Sequence, residues 1–197
     1  MPRGPRYRRP FRRRIEGKTD YHRRLKLLKS RKLRIIIRAS NNHIGVQIVQ
    51  SSLGGDIIIV SAFSKELKNR FNWKANTGNI PAAYLTGYLA GLRAKKNKIS
   101  GVIFDLGIFY HRNRLLAACK GIIDAGLEVP HSESFFSDTL INRINGEHIE
   151  KYASILKKED PEKYERIFSG YLKKEKINPL KFSQLISTTM KSIESNV

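Results

Sequence analysis

The sequence predicts an α/β fold: a three-layer mixed sheet with a disordered basic N-terminal arm and C-terminal helices. Between residues 33 and 62, three alternating apolar segments with short connections predict an antiparallel meander of strands. A further apolar segment, 101–106, lies between two helical patterns and predicts a strand added through helical crossovers. Basic residues are concentrated at the start, because the first 40 of the 197 residues carry +14 of the total formal net charge of +21.

The composition excludes several classes of protein. Cys119 is the only cysteine, so no intramolecular disulfide can form, and no Cys/His pair has the spacing of zinc ligands. No apolar run approaches the roughly 20 residues that span a membrane. No apolar stretch follows the basic start, as a secretory signal would require. We therefore expect a soluble, cytoplasmic protein with no cofactor, no metal and no membrane partner.

Residues 1–18 are the predicted arm. They contain seven arginines, three prolines and two glycines, and proline together with like-charge repulsion disfavours both helix and strand. Tyr7 and Phe11 stand among the arginines, and exposed rings between cations suit stacking on unpaired bases. A solubilising tail is the alternative, although such tails favour acidic residues. We therefore predict an arm that binds RNA and becomes ordered on its partner.

Residues 19–30 predict a short helix, capped by Thr19 or Asp20, with one apolar and one cationic face. Its apolar stripe holds Tyr21, Leu25 and Leu28, and its remaining faces hold Arg23, Arg24, Lys26 and Lys29. In the strand that follows, Arg34 and Arg38 alternate with apolar residues and so share one face of the sheet. A core does not tolerate unpaired arginine, and we expect both side chains to point toward solvent or RNA.

The middle of the chain predicts the crossover helices. Ser64 can cap a helix that runs to residue 71, and a loop then leads into a second helix with Pro81 in its first turn. Gly87 and Gly91 on this second helix suggest close packing on the sheet. Residues 115–125 predict another helix, ended by Gly126, and residues 127–129 a short final strand. Trp73 is either a core anchor or a stacking platform, and the core interpretation is favoured.

The C-terminal part predicts short helices with clear start signals. Ser137, Asp160-Pro161 and Asn178-Pro179 mark three starts, and residues 148–157 have the pattern of a further helix. Helices of this length are marginal alone, so they must pack on the domain or on a partner. The sequence leaves the choice between the two open.

Four blocks in order resemble one protein family. They are KTDYHRRLKLLKSRKLRIIIRASNNHIGVQIV (18–49), NTGNIPAAYLTGYLAGLRA (76–94), CKGIIDAGLEVPHSE (119–133) and INGEHIEKY (144–152). Together behind an arginine-rich arm, they are similar to the large-subunit ribosomal protein family numbered eighteen, in its archaeal branch, whose eukaryotic counterpart is numbered five. The resemblance covers about residues 6–172.

The resemblance implies a fold and a function. The fold is a ribonuclease-H-like mixed sheet without nuclease activity. The function is that of a structural protein that binds 5S ribosomal RNA and anchors it to the large ribosomal RNA in the central protuberance of the large subunit. The implied partners are these two RNAs and neighbouring large-subunit ribosomal proteins. The segment 111–114 departs from the family pattern, so the RNA contact there should differ in detail.

The predicted RNA-binding residues come from the arm, the first helix and strand, the turn 41–43, the loop 74–79 and the segment 111–114. Arginine donates two parallel hydrogen bonds to phosphate, and turn asparagines can bond sugar or base edges. The full set is Arg3, Arg6, Tyr7, Arg8, Arg9, Phe11, Arg12, Arg13, Arg14, Lys18, Tyr21, Arg23, Arg24, Lys26, Lys29, Arg31, Lys32, Arg34, Arg38, Asn41, Asn42, His43, Lys74, Asn76, Thr77, Asn79, His111, Arg112 and Arg114.

Two alternatives compete with this interpretation. A two-metal nuclease would need clustered carboxylates, and the candidates are Asp56, Glu66, Asp105 and Asp124. Each has an ordinary structural explanation except Asp105, whose place at a strand end is typical of functional residues in α/β folds. One carboxylate alone does not make a two-metal site, so we expect that the protein is not an enzyme. The other alternative is an RNA-binding regulator or assembly chaperone outside the ribosome, which the same arm would serve.

We expect three parts in the chain. Residues 1–18 are the basic RNA-binding arm, residues 19–136 the α/β RNA-binding domain, and residues 137–197 a C-terminal helical extension. Beyond about residue 173 the sequence matches no pattern of the family.

Overall fold

A four-stranded mixed sheet stands at the centre of the computed structural model, which describes residues 4–108 and 113–196. The strand order is β3-β2-β1-β4, with the first three strands antiparallel and β4 parallel to β1. The strands are β1 (Leu33–Ala39), β2 (Ile44–Ser52), β3 (Gly55–Phe63) and β4 (Val102–Asp105). The predicted meander and crossover strand are therefore confirmed.

The helices begin where side-chain oxygens accept backbone N–H groups. Asp20, Asn79 and Asp160 each cap a helix in this way, the last two before a proline in the first turn. The helices are α1 (Arg12–Ile15), α2 (Tyr21–Lys29), α3 (Ser64–Arg70), α4 (Ile80–Lys96), α5 (Asn113–Asp124), α6 (Asp138–Ile144), α7 (Glu147–Glu159), α8 (Pro161–Ile167) and α9 (Phe182–Asn196). Short turns of other helix types occupy Glu133–Phe135, Gly170–Lys174 and Pro179–Lys181.

The arm contains one helical turn, α1, because residues 11–15 contain no proline and Glu16 pairs with Arg12. Two other predicted local features are wrong. Residues 127–129 form no strand, since only Glu128 bridges to Gly101. Ser64 does not cap α3: its hydroxyl accepts the N–H of Ile44.

Helices α4 and α5 pack on one face of the sheet, and α2 lies against the other, near β4. This arrangement gives the predicted three layers. The core contains the apolar face of β1 and β2, most of α4, and the stripe of α5 that includes Cys119. Trp73 is fully buried, which confirms the core interpretation, and its indole N–H donates to the carbonyl of Asn76.

The glycines of α4 serve a different contact from the predicted one. A Cβ atom at Gly87 would collide with the backbone carbonyl of Ala118, and one at Gly91 with the side chain of Ala125. Both neighbours belong to α5 or the residue after it, so the small residues allow two helices, rather than helix and sheet, to approach closely. Gly121 on α5 completes the contact against Tyr84 of α4.

The C-terminal helices pack on the domain. Phe182, Ile186 and Ile193 of α9 belong to the same core as the sheet, and the ring of Phe182 lies edge-on to Trp73 at 6.0 Å. The hydroxyl of Tyr88 on α4 donates to Glu194 at 2.7 Å. A second, smaller core lies between α7 and α8. The boundary at residue 136 stays a prediction. In the described part of the chain, no helix is both long enough and apolar enough to cross a membrane.

We expect Gly121→Ala to destabilise the fold by about 3 kcal/mol, the upper range for overpacking, because the added methyl would meet the carbonyl of Tyr84 rather than a movable side chain. Urea unfolding measures this change. Gly101→Ala is the matched control, since a Cβ atom there meets nothing within 4 Å. Equal stability of the two variants would contradict the close approach of α4 and α5.

Candidate nucleic-acid interface

The face of the sheet opposite the main core is organised around a buried arginine. Arg34 on β1 is only 1% exposed, and its guanidinium donates to Asp105 on β4 and Asp56 on β3, both at 2.6 Å. Arg24 on α2 donates to both carboxylate oxygens of Asp56, at 2.9 and 3.1 Å. These four residues form one ion-pair network that joins three strands and a helix.

The protonation of the network favours its charged form. Burial alone would raise the pKa of Asp56, but hydrogen bonds from Arg24 and Arg34 outweigh it, so the pKa lies below its usual value. The hydrogen bond to Asp56 in turn raises the pKa of Arg24. Asp56 and Arg24 are therefore both charged at neutral pH.

The network corrects two predictions. Arg34 does not point toward solvent or RNA, because two carboxylates compensate its burial. Its side chain holds strands together beneath the surface and is not itself part of that surface. Arg24 faces the sheet, whereas Leu25, predicted on the apolar stripe, is 54% exposed. Because Arg24 is charged, the pattern of apolar residues does not identify the inward face of α2.

Helix α2 and the arm lie side by side. The ring of Phe11 contacts that of Tyr21, with centroids 5.1 Å apart, and Nε of Arg13 donates to the hydroxyl of Thr19 at 2.9 Å. Between the arm, α2 and the sheet face runs a groove of about 440 Å³, which we call the arm–sheet groove. Ile36 and Gly107 line it, as do the acidic residues Asp20, Asp56 and Asp105. Its cationic lining residues are Arg13, Lys18, Arg23, Arg24 and Arg38.

The structure also brings together the predicted turn and loop. The hydroxyl of Thr77 donates to the carbonyl of Asn42 at 2.8 Å and lies 3.0 Å from Nδ1 of His43. Arg114, at the start of α5, donates to the carbonyls of Ser40 and Gly78 at 2.7 and 3.2 Å. Turn 40–43 and loop 76–79 therefore form one surface, on which the side chains of Asn41, Asn42 and Asn76 are exposed.

Several predicted RNA-binding residues form hydrogen bonds within the protein that hold this surface together. Thr77 is buried and joins the two segments. The side-chain oxygen of Asn79 caps α4, and its amide nitrogen is buried without a hydrogen-bond partner among the described residues. The guanidinium of Arg114 is occupied by backbone carbonyls. Lys74 lies elsewhere, in a groove lined by C-terminal residues.

The remaining predicted residues differ in how far their side chains are exposed. His43, Tyr21 and Arg23 are half-buried. Arg3, His111 and Arg112 lie outside the described residues. The exposed ones are Arg6, Tyr7, Arg8, Arg9, Phe11, Arg12, Arg13, Arg14, Lys18, Lys26, Lys29, Arg31, Lys32, Arg38, Asn41, Asn42, Lys74 and Asn76.

The carboxylates considered for metal binding are each engaged with a cation. Two belong to the ion-pair network; Glu66 accepts from Arg93 at 2.6 Å, and Asp124 lies 2.8 Å from Nζ of Lys120. Within residues 4–108 and 113–196, no cluster of three or more His, Cys, Asp or Glu side chains could hold a metal ion. Cys119 is fully buried, and burial raises the pKa of its thiol.

Comparison with known proteins identifies the family. A family model described as ribosomal large subunit proteins 60S L5 and 50S L18 matches residues 5–102. Large ribosomal subunit protein uL18 of Aeropyrum pernix is 44% identical over 198 residues, which cover 98% of this chain and 90% of that protein. The protein of the same name from Korarchaeum cryptofilum is 49% identical over 176 residues, 88% of each chain.

The fold and these relatives define a ribosomal protein of the large subunit. More narrowly, the chain belongs to the family of ribosomal large subunit proteins 60S L5 and 50S L18. It is therefore a structural constituent of the ribosome, and the expectation that it is not an enzyme is confirmed.

The ion-pair network should make stability depend on pH. Because the pKa of Asp56 is lower when folded than the value of about 3.9 in an unfolded chain, the network stabilises the fold above that value and loses its effect as pH falls through the folded pKa. We expect Asp56→Asn to be less stable than the parent from pH 7 to about 4, with the difference shrinking below. Denaturant titrations at several pH values measure this, with Glu165→Gln, an exposed carboxylate on α8, as the control. A difference that persisted unchanged to pH 2 would contradict the assignment.

Proposed function

We propose that the chain binds 5S ribosomal RNA and anchors it to the large ribosomal RNA in the central protuberance of the cytoplasmic large subunit. The observation that carries this proposal is the arm–sheet groove, where arm, helix and strand present cations on one surface. The four sequence blocks that resemble the family support the choice of 5S RNA, and membership of the family supports the site of action.

The surface suits recognition of folded RNA with unpaired bases rather than sequence-specific recognition of a duplex. The major groove of A-form RNA is too narrow for side chains, so proteins contact phosphates, 2′-hydroxyls and unpaired bases. The exposed arginines of the arm suit phosphates. Tyr7 and Phe11 are 50% and 71% exposed and suit stacking on unpaired bases. Asn41 and Asn42 supply amides for sugar or base edges.

Each part of the surface then has its own role. The arm and the outer side of α2, with Lys26 and Lys29, supply affinity through phosphate contacts that carry no sequence information. The rigid surface of turn 40–43 and loop 76–79 supplies shape and hydrogen bonding, because Thr77 and Arg114 hold its two segments together. The ion-pair network fixes the angle between these parts.

The test compares binding to 5S RNA and to a transfer RNA across a salt series. Each phosphate neutralised should contribute about −0.7 to −0.9 to the slope of log K against log salt. We expect 5S binding to stay much tighter than transfer RNA binding at high salt, because the folded domain recognises shape. Filter binding or fluorescence anisotropy measures both affinities.

A chain without residues 1–18 separates charge from recognition in the same experiment. It should bind both RNAs far more weakly, with a flatter salt dependence, and keep its preference for 5S. Equal affinities of the full chain for the two RNAs, lost together as salt rises, would contradict the proposal and favour a regulator or chaperone that acts through the arm alone.

Asp56→Asn tests whether the ion-pair network positions the RNA-binding surface. The substitution raises the net charge from +21 to +22, so electrostatics alone predicts equal or tighter binding. We expect about fivefold weaker 5S binding, the equivalent of roughly 1 kcal/mol, because Arg24 loses its anchor and α2 with the arm no longer holds its place.

Glu165→Gln makes the same change in charge on α8 and serves as the matched control. Both variants are compared well below their melting temperatures, with circular dichroism to verify the fold. Asp56→Asn binding as tightly as the control would exclude a positioning role for the network.

A further inference from the structure

The outer strand of the sheet carries an apolar edge. Strand β3 is the last in the sheet, and among the described residues no strand pairs with its outer side. On β3, Ile57, Ile58 and Ile59 are 56, 53 and 38% exposed, and Leu53, in the turn before it, is fully exposed. We call these four residues the hairpin edge.

The hairpin edge projects from the body of the protein. A Cβ atom at Gly54 or Gly55 would meet no atom within 4 Å beyond its chain neighbours, so the turn between β2 and β3 is surrounded by open space. Successive side chains of a strand point to opposite faces, and three exposed isoleucines in a row therefore leave both faces of the strand uncovered. Contiguous large apolar surface of this kind marks an interaction site, whereas single exposed apolar residues are ordinary.

The chain protects only one end of β3. Nη1 of Arg93 donates to the carbonyl of Ser61 at 2.6 Å, and the carboxylate of Glu66 accepts the N–H of Phe63 at 2.9 Å. These side chains occupy backbone groups at the end of the strand, and the hairpin edge lies outside their reach. Lysine and proline, which commonly block an exposed edge, are absent from residues 39–64. The open part of the strand can therefore pair with another strand.

The charge of this region distinguishes a protein partner from RNA. Residues 39–64 contain neither lysine nor arginine, and they are the longest such segment of a chain with 38 of these residues. The one carboxylate of this segment, Asp56, is already paired with Arg24 and Arg34. A phosphate backbone would find no cation on the hairpin edge, and affinity for RNA depends on such cations. Apolar side chains beside an open strand edge instead suit an extended polypeptide.

Exposed cations flank the hairpin edge and favour a partner with acidic ends. Because Arg34 pairs with Val49 in antiparallel register, Arg31 and Lys32 lie at the end of the sheet that carries the hairpin. Lys65, which is exposed, follows β3 at its other end. A second copy of the chain would bring its own net charge of +21 to this edge, and like-charge repulsion opposes that pairing.

We propose that the hairpin edge is a docking site for an extended segment of another large-subunit protein, which adds to β3 as a fifth strand. The segment presents branched aliphatic side chains to the isoleucines and acidic residues at its ends. Backbone hydrogen bonds along β3 supply affinity, and the cross-strand aliphatic pairs supply selectivity. This site goes beyond the proposed function, because its ligand is protein rather than RNA.

Site-directed cross-linking tests the occupant inside the assembled subunit. Cys119 is the only cysteine and is fully buried, so Ile57→Cys introduces a single accessible thiol. The chain labelled there with benzophenone maleimide is assembled into large subunits, irradiated and analysed by peptide mass spectrometry. We expect one main cross-link, to a segment of another protein that has alternating aliphatic residues and acidic ends. Amide hydrogen exchange in residues 55–60 should be about tenfold slower in the subunit than in the free chain.

Ile58→Lys, added to the labelled chain, tests the apolar contact. An ammonium group buried without a partner is costly, so we expect the yield of the cross-link to fall about tenfold. Gln184→Lys, at an exposed position of α9, makes the same change in net charge and should leave the yield unchanged. Both variants should bind 5S RNA at least as tightly as the parent, which separates this result from a failure of the proposed function. Melting temperatures verify that both variants fold.

Four results would overturn the proposal. A cross-link to ribosomal RNA would assign the hairpin edge to RNA, and a cross-link between two copies of the free chain would assign it to a dimer. Absence of any cross-link would show that the edge has no partner in the subunit. Equal yields from Ile58→Lys and Gln184→Lys would show that the label reached a protein that does not bind the isoleucines.

Discussion

A buried arginine is the constraint on which the face of the sheet opposite the main core depends. Moving a guanidinium out of water is costly unless carboxylates compensate it, and Arg34 has two, from the strands on either side of the β1–β2 pair. Such a network adds little net stability compared with apolar packing, but it is intolerant of misplacement. Because Asp56 also binds Arg24, the position of α2 is tied to the sheet. Helix α2 has no fully buried residue of its own and would otherwise be weakly held.

The network also explains how so basic a chain divides its charges. Near the sheet, acidic side chains face inward or bind specific arginines: Asp56 and Asp105 pair with Arg34, and Glu66 with Arg93. The cations of the arm and of the outer side of α2 are left in excess at the surface. Their mutual repulsion disfavours the free fold, and a polyanion removes that cost on binding. The carboxylates that would otherwise suggest a metal site are paired with arginines in this arrangement.

The sequence predicts elements better than it predicts which faces meet. Alternation, caps and first-turn prolines identify the strands and most helices within a few residues, because these signals are local. The prediction of the inward face of α2 is wrong. An analysis of apolar periodicity places Arg24 on the outer face because its side chain is charged, whereas its ion pair with Asp56 holds it against the sheet. Gly87 gives a correct signal of close packing but not the identity of its partner. Arg34 offered a usable signal, because an arginine on a strand needs carboxylates, and Asp56 and Asp105 lie beside neighbouring strands. The contact between turn 40–43 and loop 76–79 depends on Arg114, distant in sequence, and has no local signal.

The all-round burial of α4 decides the place of the C-terminal helices. Twelve of its residues are buried, more than one apolar stripe can account for, so a sheet on one side and α5 on another cannot cover it. Helices α6 and α9 supply the remaining cover, with Tyr88 bonded to Glu194 and Trp73 against Phe182. Helices α6 and α9 are thus part of the core, whereas α7 and α8 enclose a smaller core of their own. It follows that the sheet side of the arm–sheet groove rests on one packed body, whereas the arm contributes no buried residue to it.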